Sequence, residues 1–321
     1  MHGRIFLLNY GCAVNKAEGE VMAGVLASHG FSLVNSEAEA DIVIVNTCGV
    51  KTPTENRILH KLNSIKNSNK KIIVTGCLPK IIGIEKIIEI KNVKGILGPA
   101  VGEKIVKVVQ EVLEGNRYID INCGNFNNLL PCIRENPLIG IIVISQGCIG
   151  ECSYCATRFA RGKLRSYSIE EIVSAVEKHV KEGVREIWLS SQDNSAYGLD
   201  NGRNIVELLE KIENVNEMFF VRIGMMNPYG IINNLDAFIR VLKKKRFFKF
   251  IHIPLQSGSN KVLRDMGRGY SVETFMKIVS RLREEIPKIS LETDIIVGYP
   301  TEEDYDFEET LRVIKKVEPD F

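Results

Sequence analysis

Short apolar runs alternate with stretches of helical periodicity along almost the whole chain. In the first third the runs fall at residues 5–8, 42–45, 72–74 and 95–97, and the helical stretches near 15–29, 54–66, 83–90 and 102–114. The same order resumes after residue 138, with strands expected at 139–145, 186–190, 218–224, 249–254 and 289–297. Helices are expected near 169–182, 204–213, 234–245, 271–286 and 302–317. Strict β-α alternation implies parallel sheets covered by helices, an α/β fold class. We read 1–115 as an N-terminal open parallel α/β sheet domain and 138–321 as a partial (β/α) barrel of five units. Between them, Asn122, Cys123, Gly124, Asn125, Asn127, Asn128 and Pro131 are turn formers, which makes 116–137 a linker. The last residues reach the place where a sixth barrel strand is due. The expectation is a barrel truncated before its sixth strand, or a fifth strand whose exposed edge is covered by something else.

Into this pattern the sequence sets eight cysteines. Cys148, Cys152 and Cys155 lie in one short loop after the apolar residues 141–144. Three soft thiolates at this spacing can close on one face of a 4Fe-4S cluster and leave one iron open. A structural zinc site needs four tetrahedral ligands, and no fourth Cys or His follows at a matching spacing. The run C-x3-C-x-Y-C, with Tyr154 before the last cysteine, resembles the signature of the radical S-adenosylmethionine (SAM) enzymes. The resemblance implies that the open iron binds the amino and carboxylate groups of SAM. One electron from the cluster then cleaves SAM to a 5'-deoxyadenosyl radical, so Cys148, Cys152 and Cys155 are the catalytic centre.

Cys12, Cys48 and Cys77 each lie just past a strand of the first domain, beside Gly11, Gly49 and Gly76. Parallel strands end along one edge, where open α/β folds place ligands, so these three residues can meet. Glycine neighbours permit tight turns and close backbone approach. Three small apolar side chains closing strand ends would also account for them. Cys123 and Cys132, in the linker, have no ligand spacing and read as bystanders.

Composition excludes several classes. A net charge of +2 gives no global basic field, so any nucleic-acid contact must come from local patches. The start of the chain lacks a signal peptide, and no apolar run reaches the length of a membrane span, which points to a cytoplasmic protein with no membrane partner. In a reducing compartment, cysteines read as metal or redox ligands rather than disulfides.

The strand-end rule supplies further candidates. Gln192 and Asp193 end the second barrel strand and suit the amino or ribose groups of SAM; Arg222, on the third, has the planar fork for its carboxylate. Gln256, with Ser257 and Gly258, follows the fourth strand, and Tyr154 suits stacking near the adenine. Residues of these types at strand ends serve equally as caps. His252, between Ile251 and Ile253, reads as a satisfied core histidine. Arg158, Arg161, Lys163 and Arg165, with Phe159 and Tyr167, follow the cysteine loop and suit a phosphate backbone and a splayed base. Residues 243–246, all basic, read as a solvated helix end.

Taken together, G-C-x-x-N at Gly11 to Asn15, N-T-C-x-V at Asn46 to Val50, Gly76-Cys77, the central cysteine loop, Ala160 to Gly162 and Gln256 to Gly258 resemble the radical SAM methylthiotransferases, the MiaB and RimO group. Ala160 to Tyr167, Glu186 to Leu189 and Ala196 to Gly198 look like its archaeal and eukaryotic branch. The resemblance implies a second 4Fe-4S cluster on Cys12, Cys48 and Cys77, whose open iron carries the sulfur to be inserted, and two SAM molecules per turnover. It implies a tRNA anticodon stem-loop as partner, with N6-threonylcarbamoyladenosine gaining a methylthio group at C2 of its base. An aromatic C2–H is not acidic enough for a side-chain base, which is why a radical suits it. The family's small C-terminal TRAM domain has no counterpart in the sequence. Rival readings are a methylthiotransferase acting on a ribosomal-protein aspartate or on isopentenyladenosine and, from another class, an iron-sulfur scaffold or storage protein. The electron donor and sulfur donor are left open.

Overall fold

The computed structural model describes residues 3–49, 52–65 and 68–321. Val50, which closes the run begun at Asn46, and Lys66, the last residue of the second expected helix, lie outside them. The chain divides into two compact units, residues 1–137 with 156–162, and residues 138–155 with 163–321.

The first unit is built on six strands, β1 (Arg4–Asn9), β2 (Ser32–Leu33), β3 (Ile42–Thr47), β4 (Lys71–Gly76), β5 (Val93–Leu97) and β6 (Tyr118–Asp120), all parallel in the order β2-β1-β3-β4-β5-β6. The crossovers are α1 (Ala13–Ser28), α2 (Thr52–Ile65), α3 (Leu78–Ile82), α4 (Glu85–Ile88) and α5 (Lys104–Glu114). Every position of β3 is buried, because both faces of a parallel sheet are covered. Val43, Val45, Ile72 and Val74 pack with Ile58, Leu62, Leu78 and Ile87. By strand alternation Ile42 and Ile44 then face the other layer, where α1 and α5 pack on one another. Each such fully buried side chain contributes about 1.5–3 kcal/mol.

Three features differ from the sequence reading. The helical stretch expected at 83–90 holds the single short helix α4, and a further short helix, α3, precedes it and ends at Gly83, φ +85°. β2 and β6 were not expected, since two or three residues carry no readable period. β6 falls inside the interval read as a linker and pairs with β5, Ile119 opposite Ile96. The rest of that interval lies along α1. Ile133 N donates to Glu20 O at 2.9 Å and Glu135 N to the Glu20 carboxylate at 3.1 Å, while a Cβ on Gly24 would stand 2.3 Å from Pro131 O. Turn formers mark the lack of a period, not the lack of packing. One further short helix, α6 (Thr157–Arg161), belongs to this unit and packs against α3.

The second unit begins with β7 (Ile139–Val143), β8 (Ser145–Gln146) and β9 (Arg165–Ser166), and continues through β10 (Glu186–Ser190), β11 (Phe220–Ile223), β12 (Phe250–His252) and β13 (Ser290–Glu292). β7, β10 and β11 are parallel neighbours, as are β12 and β13. Val221 joins the two sets by bonds to Arg246 O at 2.8 Å and from Phe248 N at 3.0 Å. The helices α7 (Ile169–Lys181), α8 (Ile205–Glu213), α9 (Pro228–Ile232), α10 (Leu235–Leu242), α11 (Asn260–Asp265), α12 (Val272–Glu285) and α13 (Asp304–Val317) complete the unit. Ile142, Leu189, Val221, Ile251 and Leu291 pack with Val176, Leu208, Phe238 and Phe275 from these helices. The opposite strand face carries Trp188, Arg222, Phe250, His252 and Glu292, as a barrel interior does. Along the outer edge of β13, Asp320 N donates to Leu291 O at 2.9 Å and Thr293 N to Phe321 O at 3.1 Å. Among the described residues no helix is long and apolar enough to cross a membrane.

Gly24 tests whether residues 131–135 are packed or merely draped. Glycine inside a helix ordinarily gains about 1 kcal/mol on becoming alanine. Here Gly24→Ala is expected to lose about 1–3 kcal/mol in denaturant unfolding, because its Cβ overlaps a backbone that cannot swing away. A gain in stability would show that the segment is loose.

Candidate active site

β8 and β9 pair antiparallel, Ser145 opposite Ser166 and Gln146 opposite Arg165, and so pin both ends of the excursion that carries the three central cysteines. Gly147, at φ +73°, turns the chain out of β8 and donates its N–H to Gln192 Oε1 at 2.8 Å. Gly150 N donates to Cys148 Sγ at 3.2 Å, and a Cβ built on Gly150 would lie 3.3 Å from that sulfur and 3.7 Å from Cys152 Sγ. The two sulfurs therefore flank Gly150, where a side chain would stand tightly against Cys148 Sγ. Burial pushes the Cys148 thiol up to about 11. A bound cation is what would deprotonate it at neutral pH.

A segment the sequence reading passed over docks against this loop. After α11 the chain runs Met266-Gly267-Arg268-Gly269-Tyr270. Ser153 N donates to Met266 O at 3.0 Å, and a Cβ on Gly267, which is at φ +71°, would meet Glu151 O at 2.9 Å. Arg268 Nη1 donates to Cys152 Sγ at 3.1 Å and reaches the Tyr154 hydroxyl at 3.4 Å. Burial opposes the charge on Arg268, yet Tyr270, Tyr154 and Cys152 together hold its pKa above the ordinary arginine value. The readable signal was an arginine between two glycines just past a helix.

The first unit presents the other three cysteines at the carboxyl ends of β1, β3 and β4. Strand order reverses between β1 and β3, and such a switch point opens the crevice in which parallel sheets hold ligands. Cys12 and Cys48 flank it. A Cβ on Gly11, at φ +117°, would strike Cys48 Cβ at 2.5 Å, and one on Gly76, at φ +97°, would strike Thr47 O at 2.2 Å. Cys77 N donates to Thr47 O at 3.0 Å, and Asn15 Nδ2 donates to the same oxygen at 2.6 Å. Burial pushes the Cys77 thiol up to about 12, with Cys12 close enough to add to the rise. Among the described residues no three His, Cys, Asp or Glu side chains close on one ion. The cysteines of a cubane bind separate irons, so their sulfurs stand farther apart than the ligands of a single metal.

Arg161, read as a substrate contact, lies elsewhere. It is 3% exposed, with Nη1 on Glu18 Oε1 at 2.7 Å and Nη2 on Asn15 Oδ1 at 2.9 Å. Burial opposes its charge, but Glu18 and the Cys77 and Cys12 thiols hold its pKa well above the usual value. Its Nε has no partner. A buried cation with a spare donor beside thiols suits the negative charge of an all-cysteine cluster. Sequence reasoning could have found the pair from Glu18, an acid on the buried face of α1.

The remaining candidates separate. Asp193 is buried and its oxygens are taken by Ser195 N and Oγ, Asn227 N and Tyr229 Oη, at 2.6–3.2 Å, so it caps the loop after β10 instead of offering an acceptor. Burial raises its pKa. Arg222 stands between Trp188 and Phe250, its guanidinium 5.2 and 4.5 Å from their ring centroids, with Glu292 at 3.8 Å. Gln256 is buried at φ +67°, a strained conformation for a residue with a side chain. His252 is not a core residue; its Nε2 bonds Asp294 Oδ2 at 2.8 Å. Arg158 stacks on Phe159, which is 62% exposed, in the first unit. Arg165 bonds Gln146 Oε1 at 2.6 Å in the second.

Residues 142–314 match the Radical SAM superfamily, and residues 4–98 match Uncharacterized protein family UPF0004. The chain is 42% identical over 321 residues to a Pyrococcus abyssi protein named probable threonylcarbamoyladenosine tRNA methylthiotransferase, covering 99% of this chain and 75% of that one. The chain belongs to the radical SAM methylthiotransferase family. The human member of the family named threonylcarbamoyladenosine tRNA methylthiotransferase is 38% identical over 322 residues, 98% of this chain and 55% of that one. Among solved structures, the radical SAM methyltransferase TsrM from Kitasatospora setae shares the fold, with a TM-score of 0.68 at 12% identity over 98% of this chain and 71% of that one. The cobalamin-dependent radical enzyme OxsB scores 0.69 at 14% identity, covering 98% and 52%. Membership in the family makes this chain an enzyme that uses SAM and a 4Fe-4S cluster.

The buried pair gives a direct test. Arg161→Ala leaves Glu18 uncompensated in the interior and is expected to cost about 3–5 kcal/mol, whereas replacing both by apolar residues of similar volume, Arg161→Met with Glu18→Leu, is expected to be nearly neutral. Denaturant unfolding reads both. An Arg161→Ala protein as stable as the parent would return Arg161 to the surface role first expected of it.

Proposed function

We propose that this enzyme methylthiolates N6-threonylcarbamoyladenosine beside the tRNA anticodon, at C2 of the base. The observation that carries the reading is the 42% identity, across 99% of the chain, to a relative named for that nucleoside. Cys148, Cys152 and Cys155 hold the cluster that binds SAM. A cluster held there would supply the single electron that cleaves SAM for hydrogen-atom abstraction from an unactivated C–H. Gln192, Arg222, Gln256 and Tyr154 are the groups for the SAM amino, carboxylate and adenine ends; Asp193 shapes their loop from within.

A radical centre alone does not deliver sulfur. Cys12, Cys48 and Cys77 are assigned the second cluster, supported by their place at the switch point of a parallel sheet, by the glycines that let them approach, and by the unpartnered Nε of Arg161 beside them. Two SAM molecules serve each turnover, one as radical source and one as methyl donor. Arg158 with its stacked Phe159 is the contact the first unit offers to an RNA loop, an exposed aromatic and a guanidinium that suit a splayed base and its phosphate, and Arg165 is a separate contact on the second unit.

Nucleoside mass spectrometry tests the substrate. Deleting the gene is expected to remove the 2-methylthio form from host tRNA and leave N6-threonylcarbamoyladenosine in its place. The parent gene restores the mark, and a Cys152→Ala copy does not. Unchanged tRNA with an altered ribosomal-protein mass would move the substrate to protein.

A further inference from the structure

We propose that Arg268 is a positioning and charge-compensating residue of the radical SAM cluster site, acting through Cys152. Its guanidinium is held by three side chains of the protein itself. Nη1 donates to Cys152 Sγ at 3.1 Å and to Tyr154 Oη at 3.4 Å, and Nε donates to Tyr270 Oη at 3.2 Å. Tyr270 is in turn anchored, its one hydroxyl proton shared between Pro254 O and Leu255 O, both at 2.9 Å, at the exit of β12. The arginine also lies over the Tyr270 ring, 5.0 Å from its centroid. The backbone before it is equally committed: Met266 O takes the Ser153 amide, and Gly267 lies so close to Glu151 that no side chain fits. The contact is therefore built by a rigid segment, and a flexible surface arginine would not reproduce it.

The physical consequence concerns one electron. A cluster on three thiolates gains a unit of negative charge when a low-potential one-electron donor reduces it; no bond forms or breaks in that step. A cation within hydrogen-bond distance of a ligating sulfur stabilises the reduced state more than the oxidised one, and hydrogen bonds to the sulfurs and local charge are among the factors that set cluster potentials. Arg268 therefore raises the potential at which the site accepts its electron. It touches neither SAM nor the RNA in this role.

The inference rests on Cys148, Cys152 and Cys155 holding the SAM-responsive cluster, and the test separates the two. The reconstituted full chain is titrated anaerobically and the EPR signal that changes on adding SAM is followed. Arg268→Gln is expected to keep its iron and show at least a tenfold smaller ratio of reduced to oxidised cluster at a given potential, a downward shift of about 59 mV or more. Arg268→Lys keeps the charge and is expected to recover the ratio to within about threefold of the parent. SAM cleavage by Arg268→Gln should return when dithionite is replaced by the stronger reductant titanium(III) citrate. If Arg268→Gln loses the cluster while Arg268→Lys retains it, the requirement for charge stands. An unshifted potential in an iron-replete Arg268→Gln protein overturns the inference, as does loss of the cluster from both variants with the fold intact by circular dichroism. A SAM-responsive signal that survives Cys152→Ala overturns the cluster assignment itself.

Discussion

Parallel strands all finish on one edge, and the chemistry of this chain depends on that constraint. A residue placed just past a strand meets its counterparts past the neighbouring strands, whatever the distance between them in sequence. Cys12, Cys48 and Cys77 are separated by crossover helices, yet they flank the β1/β3 switch point and the end of β4. In the second unit the same geometry sets the cysteine loop after β7 beside Gln192 after β10. Neither set depends on a disulfide or a long rigid loop. The sheet's hydrogen bonds and its buried Ile and Val side chains do the positioning, and glycine at Gly11, Gly76, Gly147 and Gly150 allows the last ångströms of approach.

Neutral thiols carry no charge, but thiolates holding a cluster at a partly buried edge would, and each unit sets an arginine beside its cysteines. In the first, Arg161 lies among Cys77, Cys12, Asn15 and Glu18 with no exposure to speak of. In the second, Arg268 is bonded to Cys152. Burying a guanidinium costs several kcal/mol unless it is paired and hydrogen-bonded. Glu18 pairs with one, and the hydroxyls of two tyrosines accept hydrogen bonds from the other. Arg161 Nε stays buried without a hydrogen-bond partner, a donor of the kind that suits negative charge on the neighbouring sulfurs.

Much of this was legible in the residues. The β-α alternation was readable because Ile-rich strands buried on both faces stand out against amphipathic helices, and the cysteines were readable because their positions relative to those strands are a matter of counting. What escaped has a common physical cause. β2 and β6 are two and three residues long, below any period. The interval 121–135 looked like a linker because it has turn formers and no repeat, although Gly24 and Glu20 receive its backbone. Arg161 was read as a substrate contact and Asp193 as a cofactor contact; burial with a partner distant in sequence, or with a loop's own amides, leaves no local signature. Arg268 was missed for the same reason, lying more than a hundred residues from the sulfur it contacts.

The most direct test of the two-site account is iron content together with SAM cleavage after anaerobic reconstitution. The parent is compared with one chain lacking Cys148, Cys152 and Cys155 and another lacking Cys12, Cys48 and Cys77, each changed to alanine. The account predicts about eight irons per chain in the parent and about four in each variant. 5'-Deoxyadenosine formation should be lost only in the first variant, and methylthio transfer in both. A parent that holds about four irons, all lost with Cys148, Cys152 and Cys155, would contradict it. The cysteines of the first unit would then be closing strand ends and nothing more.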